Sequence, residues 1–191
     1  MKRWNWKVGD WFGAVVFALL LGARMAQAAQ GQAMVLPLAA QAGVAAFLML
    51  ARKPEQGSVS LRRKLLAWLG ALLPFALRVG NAPTGWMLVS LVGVGLSLWG
   101  LASLGRSFGI APADRGLTAG GAYRFLRHPM YAGEMLSYLA LTAANPTMWN
   151  GLVLLALLAT FVLRIQWEEE ILSGYEEYCQ RVRWRMLPGV W

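Results

Sequence analysis

Two short stretches hold most of the side chains able to do chemistry. The first is Tyr123-Arg-Phe-Leu-Arg127-His128-Pro129-Met130-Tyr131, inside Gly116 to Gly133, and it carries the only histidine of the chain. Proline suits the first position of a helix, having a fixed φ and no N–H to leave unpaired. His128 and Tyr131 then flank a helix entrance, where outward backbone N–H groups favour an anionic ligand group. The second stretch is Arg164 followed by Glu168-Glu169-Glu170. Arg164 and Glu168, four apart, share a helix face, so both side chains can face one pocket. A guanidinium fork holds a carboxylate or phosphate by two bonds. A glutamate suits an ammonium or hydroxyl, and a tyrosine face suits a cation or an aromatic ring. Each group also has a plainer reading: a helix cap, belt aromatics, a basic flank of an apolar segment, a solvated acidic run. Glu134, one turn into an apolar helix, is unusual and either snorkels or pairs with Arg127. It ranks second as a candidate.

The elements that must position these groups are apolar helices. Of 191 residues, 58% are hydrophobic and 14% charged, with mean hydropathy +0.47, above the apolar share of soluble domains. Several runs approach the roughly 20 residues that span a bilayer. They are Trp11 to about Ala28, Met34–Ala51, Leu65–Val79 bent at Pro74, Trp86–Leu104, Met130–Ala144 and Met148–Ile165. The net charge of +9 does not mark a nucleic-acid face, because the basic residues lie between the apolar runs. Sixteen of the eighteen fall on alternate connections, leaving Arg24 and Arg78 near the other side. Six crossings with both termini in the cytosol satisfy this count, and they put Tyr123, Arg127, His128, Tyr131, Arg164, Glu168 and Glu169 at one cytosolic rim. Trp11, Trp86, Trp149 and Trp167 are expected as interface anchors, and Arg52 to Lys64 as an exposed loop. Ala26-Gln-Ala28 behind a basic start resembles a signal-peptide site, but Arg24 interrupts the approach, so the first run is read as retained. Asn145-Pro146-Thr147 is a tight turn closing a helical hairpin. Ile171, Tyr175, Tyr178 and Val182 recur as one apolar face, which reads as a short helix on the membrane surface. Gly93 and Ser97 are spaced as a small-residue packing face. One cysteine and one histidine exclude a disulfide framework and an ordinary zinc site, so no metal is expected.

The order of motifs adds a resemblance. Leu117-Thr-Ala-Gly-Gly-Ala-Tyr123, Arg127-His-Pro-Met-Tyr131-Ala-Gly133, Asn145-Pro146, Arg164 with Glu168-Glu169-x-x-Leu172, Tyr175-x-x-Tyr178 and Leu187-Pro-Gly189 follow one another. From about Leu104 onward the chain resembles the isoprenylcysteine carboxyl methyltransferase family, and more broadly the membrane methyltransferases that include phospholipid N-methyltransferases. The segment between Leu172 and Tyr175 is shorter than in that family. The resemblance implies an all-α integral membrane enzyme, of about six transmembrane helices ending in a tight hairpin and an interfacial helix. Helices over 1–105 would precede a cofactor-binding loop, hairpin and tail over 106–191, within one structural domain. It further implies S-adenosylmethionine as cofactor, held by Leu117, Tyr123, His128, Pro129, Met130, Tyr131 and Glu168. Arg164 aligns with an arginine that holds the acceptor's acidic group. The expected reaction is methylation of a lipophilic acceptor at the cytosolic membrane face, a carboxylate first and a lipid amine second. For an amine, Glu169 would serve as base. A non-catalytic membrane scaffold is the third reading. A prokaryotic cytoplasmic membrane is the expected setting, with membrane lipids and a lipophilic or lipid-modified substrate as partners.

Overall fold

The computed structural model describes residues 8–32, 35–80 and 84–191. The basic start Met1–Lys7, the first residue of the second run and most of Gly80-Asn-Ala-Pro-Thr84, which the sequence leads one to expect as a turn, lie outside them. Seven α-helices account for most of the described chain: α1 (Val8–Ala29), α2 (Leu36–Ala51), α3 (Leu61–Leu72), α4 (Thr84–Leu104), α5 (Pro129–Ala144), α6 (Met148–Ile171) and α7 (Tyr175–Arg181). Among the described residues, Asp10–Ala29, Thr84–Ser107 and Met148–Ile171 are long and apolar enough to cross a membrane, and α2 is a shorter apolar helix. Large side chains such as Phe12, Leu19, Phe47, Val92 and Leu155 stand exposed on the helices. That is the expected outside of a bundle solvated by lipid.

Hydrogen bonds at the helix ends show how the segments alternate. At one end Asp10 of α1 pairs with Arg52 after α2. There Lys53 N donates to Arg106 O after α4, and Arg63 on α3 meets Glu170 on α6 at 2.5 Å. At the opposite end Arg24 Nη2 donates to Pro74 O. Asn150 Nδ2 reaches Arg78 O at 2.9 Å, and Trp149 Nε1 donates to Ala76 O. Consecutive helices from α1 to α6 therefore run between an end rich in basic residues and an end that holds Arg24 and Arg78.

Proline and glycine chemistry explains the boundaries. Pro74 stops α3, and Leu73–Ala76 tightens into a 3-10 turn, because proline cannot donate the next helical bond. Thr147 caps α6 by accepting from Asn150 N at 3.2 Å, which closes the expected hairpin after Asn145-Pro146. The tightest helix contact is between α4 and α5. A Cβ on Gly93 would stand 2.7 Å from Gly133 O, and one on Gly100 would stand 2.7 Å from Met130 N. Small residues thus bring two backbones together where hydrophobic contrast with lipid gives no drive.

Four expectations change. Arg62, Arg63 and Lys64 are not loop but the first turn of α3. The connection before them carries β1 (Gly57–Ser58), paired antiparallel with β2 (Ala113–Asp114). Ile171 ends α6 and does not share the tail helix, because Gly174 at φ 76 breaks the chain there. In that left-handed region glycine carries no side-chain penalty. Finally Trp167 is buried beneath Arg63, 5.5 Å from its ring, while Trp11, Trp86 and Trp149 remain exposed.

Candidate active site

The basic end holds a cleft of about 700 Å³, counting the space open to solvent. Its walls come from the connection between α4 and α5, the first turn of α5, the end of α6, and α7. Leu117, Tyr123, His128, Met130, Tyr131 and Glu168 line it, together with Arg115, Thr118, Arg127, Leu172, Tyr175 and Tyr178. Pro129 is buried at the first position of α5 and shapes the helix start, with no side-chain cap from His128. His128 instead turns toward the two glutamates, with Nε2 3.2 Å from Glu169 Oε1 and Nδ1 3.7 Å from Glu168 Oε2. Tyr131 OH donates to Glu168.

Glu169 has a different position from Glu168. Its carboxylate accepts from Arg185 Nη2 at 2.7 Å, Arg185 Nε at 2.8 Å and Tyr175 OH at 2.6 Å, with Arg127 Nη1 at 3.4 Å. It does not line the cleft. These bonds tie α6 to the tail, and the bond to Glu169 raises the pKa of the Arg185 guanidinium further. The tail itself bonds back to the start of α5, where Arg127 N donates to Trp184 O and His128 N to Arg185 O, both at 2.8 Å. Tyr178 OH donates to Tyr123 O at 2.7 Å, and burial pushes its pKa up to about 12. Burial likewise raises Tyr123. Tyr175, Tyr178 and Val182 pack against Leu117 and Leu172, so the tail helix closes the cleft with its apolar face.

Two further charged groups shape this end. Asp114 accepts from Gly116 N at 2.9 Å and Ser173 Oγ at 2.7 Å, and those bonds lower its pKa. Arg115 is buried beside Glu55 at 3.4 Å, and desolvation lowers its pKa to about 10. It stays cationic at neutral pH.

Behind the cleft lies a second cavity of about 720 Å³, counting space open to its surroundings, lined by α1 to α6. Its walls are mostly apolar, including Phe17, Leu38, Phe75, Leu101, Ile110 and Phe161, with Arg24, Gln41, Glu134, Tyr138 and Arg164 as polar exceptions. Met130 lines both cavities. Tyr131 stands between them, stacked on His128 at 5.9 Å and on Phe161 at 5.0 Å. Arg164 lies over the same ring at 5.0 Å and donates to Ile110 O at 2.9 Å. Glu168 and Arg164 thus bracket Tyr131 from one face of α6, one opening to each cavity, and do not share a single pocket. Glu134 pairs with Gln41 at 2.6 Å, not with Arg127.

The inner cavity is what the sequence reading missed. Its signal was present in Gln41, a lone amide in the apolar helix Leu36–Ala51, and in Glu134, since polar groups inside membrane helices are costly unless used. Nothing local tells that helices 93 positions apart bring them together.

No curated protein matches the chain. Residues 83–177, just under half of the chain and including most of the wall between the two cavities, are similar to the family described as phospholipid methyltransferase, within the wider group of membrane methyltransferases.

Proposed function

We propose that this protein is a membrane methyltransferase that uses S-adenosylmethionine and acts on a lipophilic acceptor. The observation that carries the reading is a pair of cavities that share Met130, one at the basic end with charged and hydroxyl side chains in its walls, the other more apolar and inside the bundle. The donor set of the outer cleft fits the cofactor. Arg115 and the α5 entrance suit its carboxylate, Glu168 suits an ammonium or ribose hydroxyls, and the Tyr123, Tyr175 and Tyr178 faces suit an adenine or a cation. When bound, the cofactor supplies a methyl group on a positively charged sulfur.

The chain's own residues orient and exclude. His128 and Tyr131 hold Glu168 in place, and α7 with the tail covers one side of the cleft with apolar surface, which reduces the water around the charges inside. Arg164 orients the acceptor at the inner face of Tyr131. Glu169, with its oxygens committed to Arg185, Tyr175 and His128, acts as a positioning residue for the tail and His128, in place of the acceptor base considered from sequence. Positioning of this kind supplies a large share of a transfer rate.

Acceptor class separates two readings. A carboxylate acceptor suits the Arg164 fork; a lipid amine suits Glu134, and the phospholipid methyltransferase similarity favours it equally. The positive-inside rule orients the basic end, with both termini, toward the cytosol. The test is calorimetry of the purified chain with S-adenosylmethionine, then incubation with methyl-labelled cofactor and a lipid extract. Cofactor binding with label in a lipid product is expected, base-labile for an ester and base-stable for an amine. A folded protein that binds no cofactor would leave the scaffold reading in its place.

A further inference from the structure

The tail presents two unlike surfaces. α7 turns Tyr175, Tyr178 and Val182 inward against Leu117 and Leu172. Its outward residues are Glu176, Glu177, Gln180 and Arg181, and Arg181 pairs with Glu177 at 3.8 Å. That face is acidic and suits water. The stretch 183–190 reverses the pattern. It holds no acidic residue, and it exposes Trp184 at 38%, Leu187 at 57% and Val190 at 77%, beside an exposed Arg183. Backbone bonds fix where the stretch lies. Arg127 N donates to Trp184 O and His128 N to Arg185 O, so it runs alongside the segment that follows Phe125. The exposed Phe125 ring stands 5.8 Å from the ring of Trp99, an exposed residue of the membrane-length helix α4. Trp99 lies about 7 Å along the axis from the end of α4 at Leu104. The lipid-facing surface of α4 thus continues through Phe125 toward the tail. Arg124, like Arg183, is exposed, and neither enters an ion pair among the described residues. Exposed aromatic and aliphatic side chains are costly in water, whereas tryptophan and leucine beside arginine suit the boundary between headgroups and acyl chains.

We propose that the stretch 183–190, together with Arg124 and Phe125, docks on the anionic headgroup layer of the bilayer that holds the chain. Arg124 and Arg183 supply the charge complementarity, and Phe125, Trp184, Leu187 and Val190 enter the boundary beneath the headgroups. Docking has a consequence for the cleft, and this consequence rests on the transferase reading. Arg185, inside the stretch, holds Glu169 at 2.7 Å, and the bonds to Arg127 and His128 fix the entrance to α5. A tail held on an anionic surface keeps those bonds closed, so cofactor affinity rises with the anionic lipid content. The stretch lies outside the 83–177 match, so this lipid response belongs to a part of the chain with no family similarity.

Fluorescent labels on the full chain in lipid nanodiscs test it. On a Cys179→Ser background, a nitrobenzoxadiazole probe is attached through Leu187→Cys or, as the water-facing reference, through Glu177→Cys. Discs of phosphatidylcholine alone are compared with discs containing about one-third phosphatidylglycerol. In the anionic discs, a nitroxide on the lipid headgroup should quench the Leu187 probe at least 3-fold more than the Glu177 probe. Dissolved dithionite should reduce the Leu187 probe at least 3-fold more slowly. Arg124→Gln combined with Arg183→Gln removes two charges worth about 5-fold each near an anionic surface. In that variant the Leu187 probe should behave in anionic discs as it does in neutral ones. S-adenosylmethionine should bind the unlabelled chain at least 3-fold tighter in anionic discs, a gain the double variant loses. Equal quenching and reduction of the two probes overturns the proposal. So does a Leu187 probe shielded from dithionite but untouched by the lipid nitroxide, which would put a second copy or another protein on the patch. A response to lipid charge that survives the double variant overturns it too. Should the double variant fail to fold, the two probes on the protein with both arginines decide alone. Cofactor affinity that ignores lipid charge while the tail is docked strikes the link to the cleft. A docked tail on a chain that binds no cofactor defeats the transferase reading only, and cofactor binding with an undocked tail defeats this inference only.

Discussion

The outer cleft and the inner chamber differ in what holds their walls. Around the cleft, Glu169, Arg185, Arg127, His128 and Tyr175 form a connected set of charge-assisted bonds. The chamber has the reverse pattern, in which packed helices set the volume and a few polar atoms stand in it incompletely paired. The cleft sits at the basic, water-facing end, where charges are cheap to keep and a network can fix the direction of each donor. The chamber lies at membrane depth, where every polar group is costly and helix packing does the shaping. A polar network fixes orientation; helix packing fixes space. A transferase for a lipophilic acceptor needs one of each.

The largest expected effect removes the comparison altogether. Gly133 faces α4 so closely that a Cβ would lie 2.9 Å from Ser97 Cα. Gly133→Leu should force α4 and α5 apart, and overpacking against backbone costs about 3 kcal/mol or more. Size-exclusion chromatography should find little monodisperse protein, with cleft and chamber lost together. A normal elution profile with retained cofactor binding would show that the seam supports neither cavity.

Arg164→Lys should separate the two regions. The charge and the insertion signal remain, but the fork that bonds Ile110 O is lost. Transfer should fall by roughly 10²-fold or more as positioning fails, with cofactor affinity near normal. Turnover within a few-fold of the unaltered protein would make Arg164 a basic flank and nothing more.

His128→Ala does the opposite and strikes the cleft. Losing hydrogen bonds to charged partners costs about 1.5–3 kcal/mol, roughly 10- to 150-fold in affinity. Calorimetry should register that loss for S-adenosylmethionine, while binding of acceptor-like probes in the chamber is kept. Unchanged cofactor affinity in a folded variant removes His128 from the site.

The smallest effect concerns the support of the cleft. Asp114 is bonded to Gly116 and Ser173, which hold its carboxyl below the ordinary 3.8. A group with a lowered folded pKa contributes stability that is complete above its unfolded value. That contribution is lost only as the pH falls through the lower folded value. Asp114→Asn should therefore cost about 1 kcal/mol at pH 7, a drop of about 2–4 °C in thermal midpoint. The gap between the two proteins should be flat from pH 6 to 8 and close below about pH 3.8. A gap that widens on acidification would assign the stabilisation elsewhere.

Much of the cleft was legible because its motif is local. Pro129 sets a helix start, and the spacing of His128 from Tyr131 and of Arg164 from Glu168 places each pair by helical geometry alone. Which glutamate opens to the cleft was not legible. Glu168 and Glu169 are neighbours of equal chemistry, and only the arrival of Arg185 and Tyr175 from the tail commits Glu169 elsewhere. Trp167 misled for a related reason, since an aromatic at a run end reads as an anchor until Arg63 on another helix covers it.

Taken alone, the amino-acid sequence determined the helical membrane class, the alternation of basic and non-basic ends, the hairpin at Asn145-Pro146 and the composition of the polar rim. These follow from hydrophobic run length, charge distribution and turn chemistry, all of which act over a few residues. Tertiary structure alone decided the close seam of α4 and α5, the division of Glu168 from Arg164 by the Tyr131 ring, and the meeting of Gln41 with Glu134. Those depend on which faces of distant helices meet. In a bilayer, where lipid is as apolar as leucine, that choice rests on packing detail that periodicity does not encode.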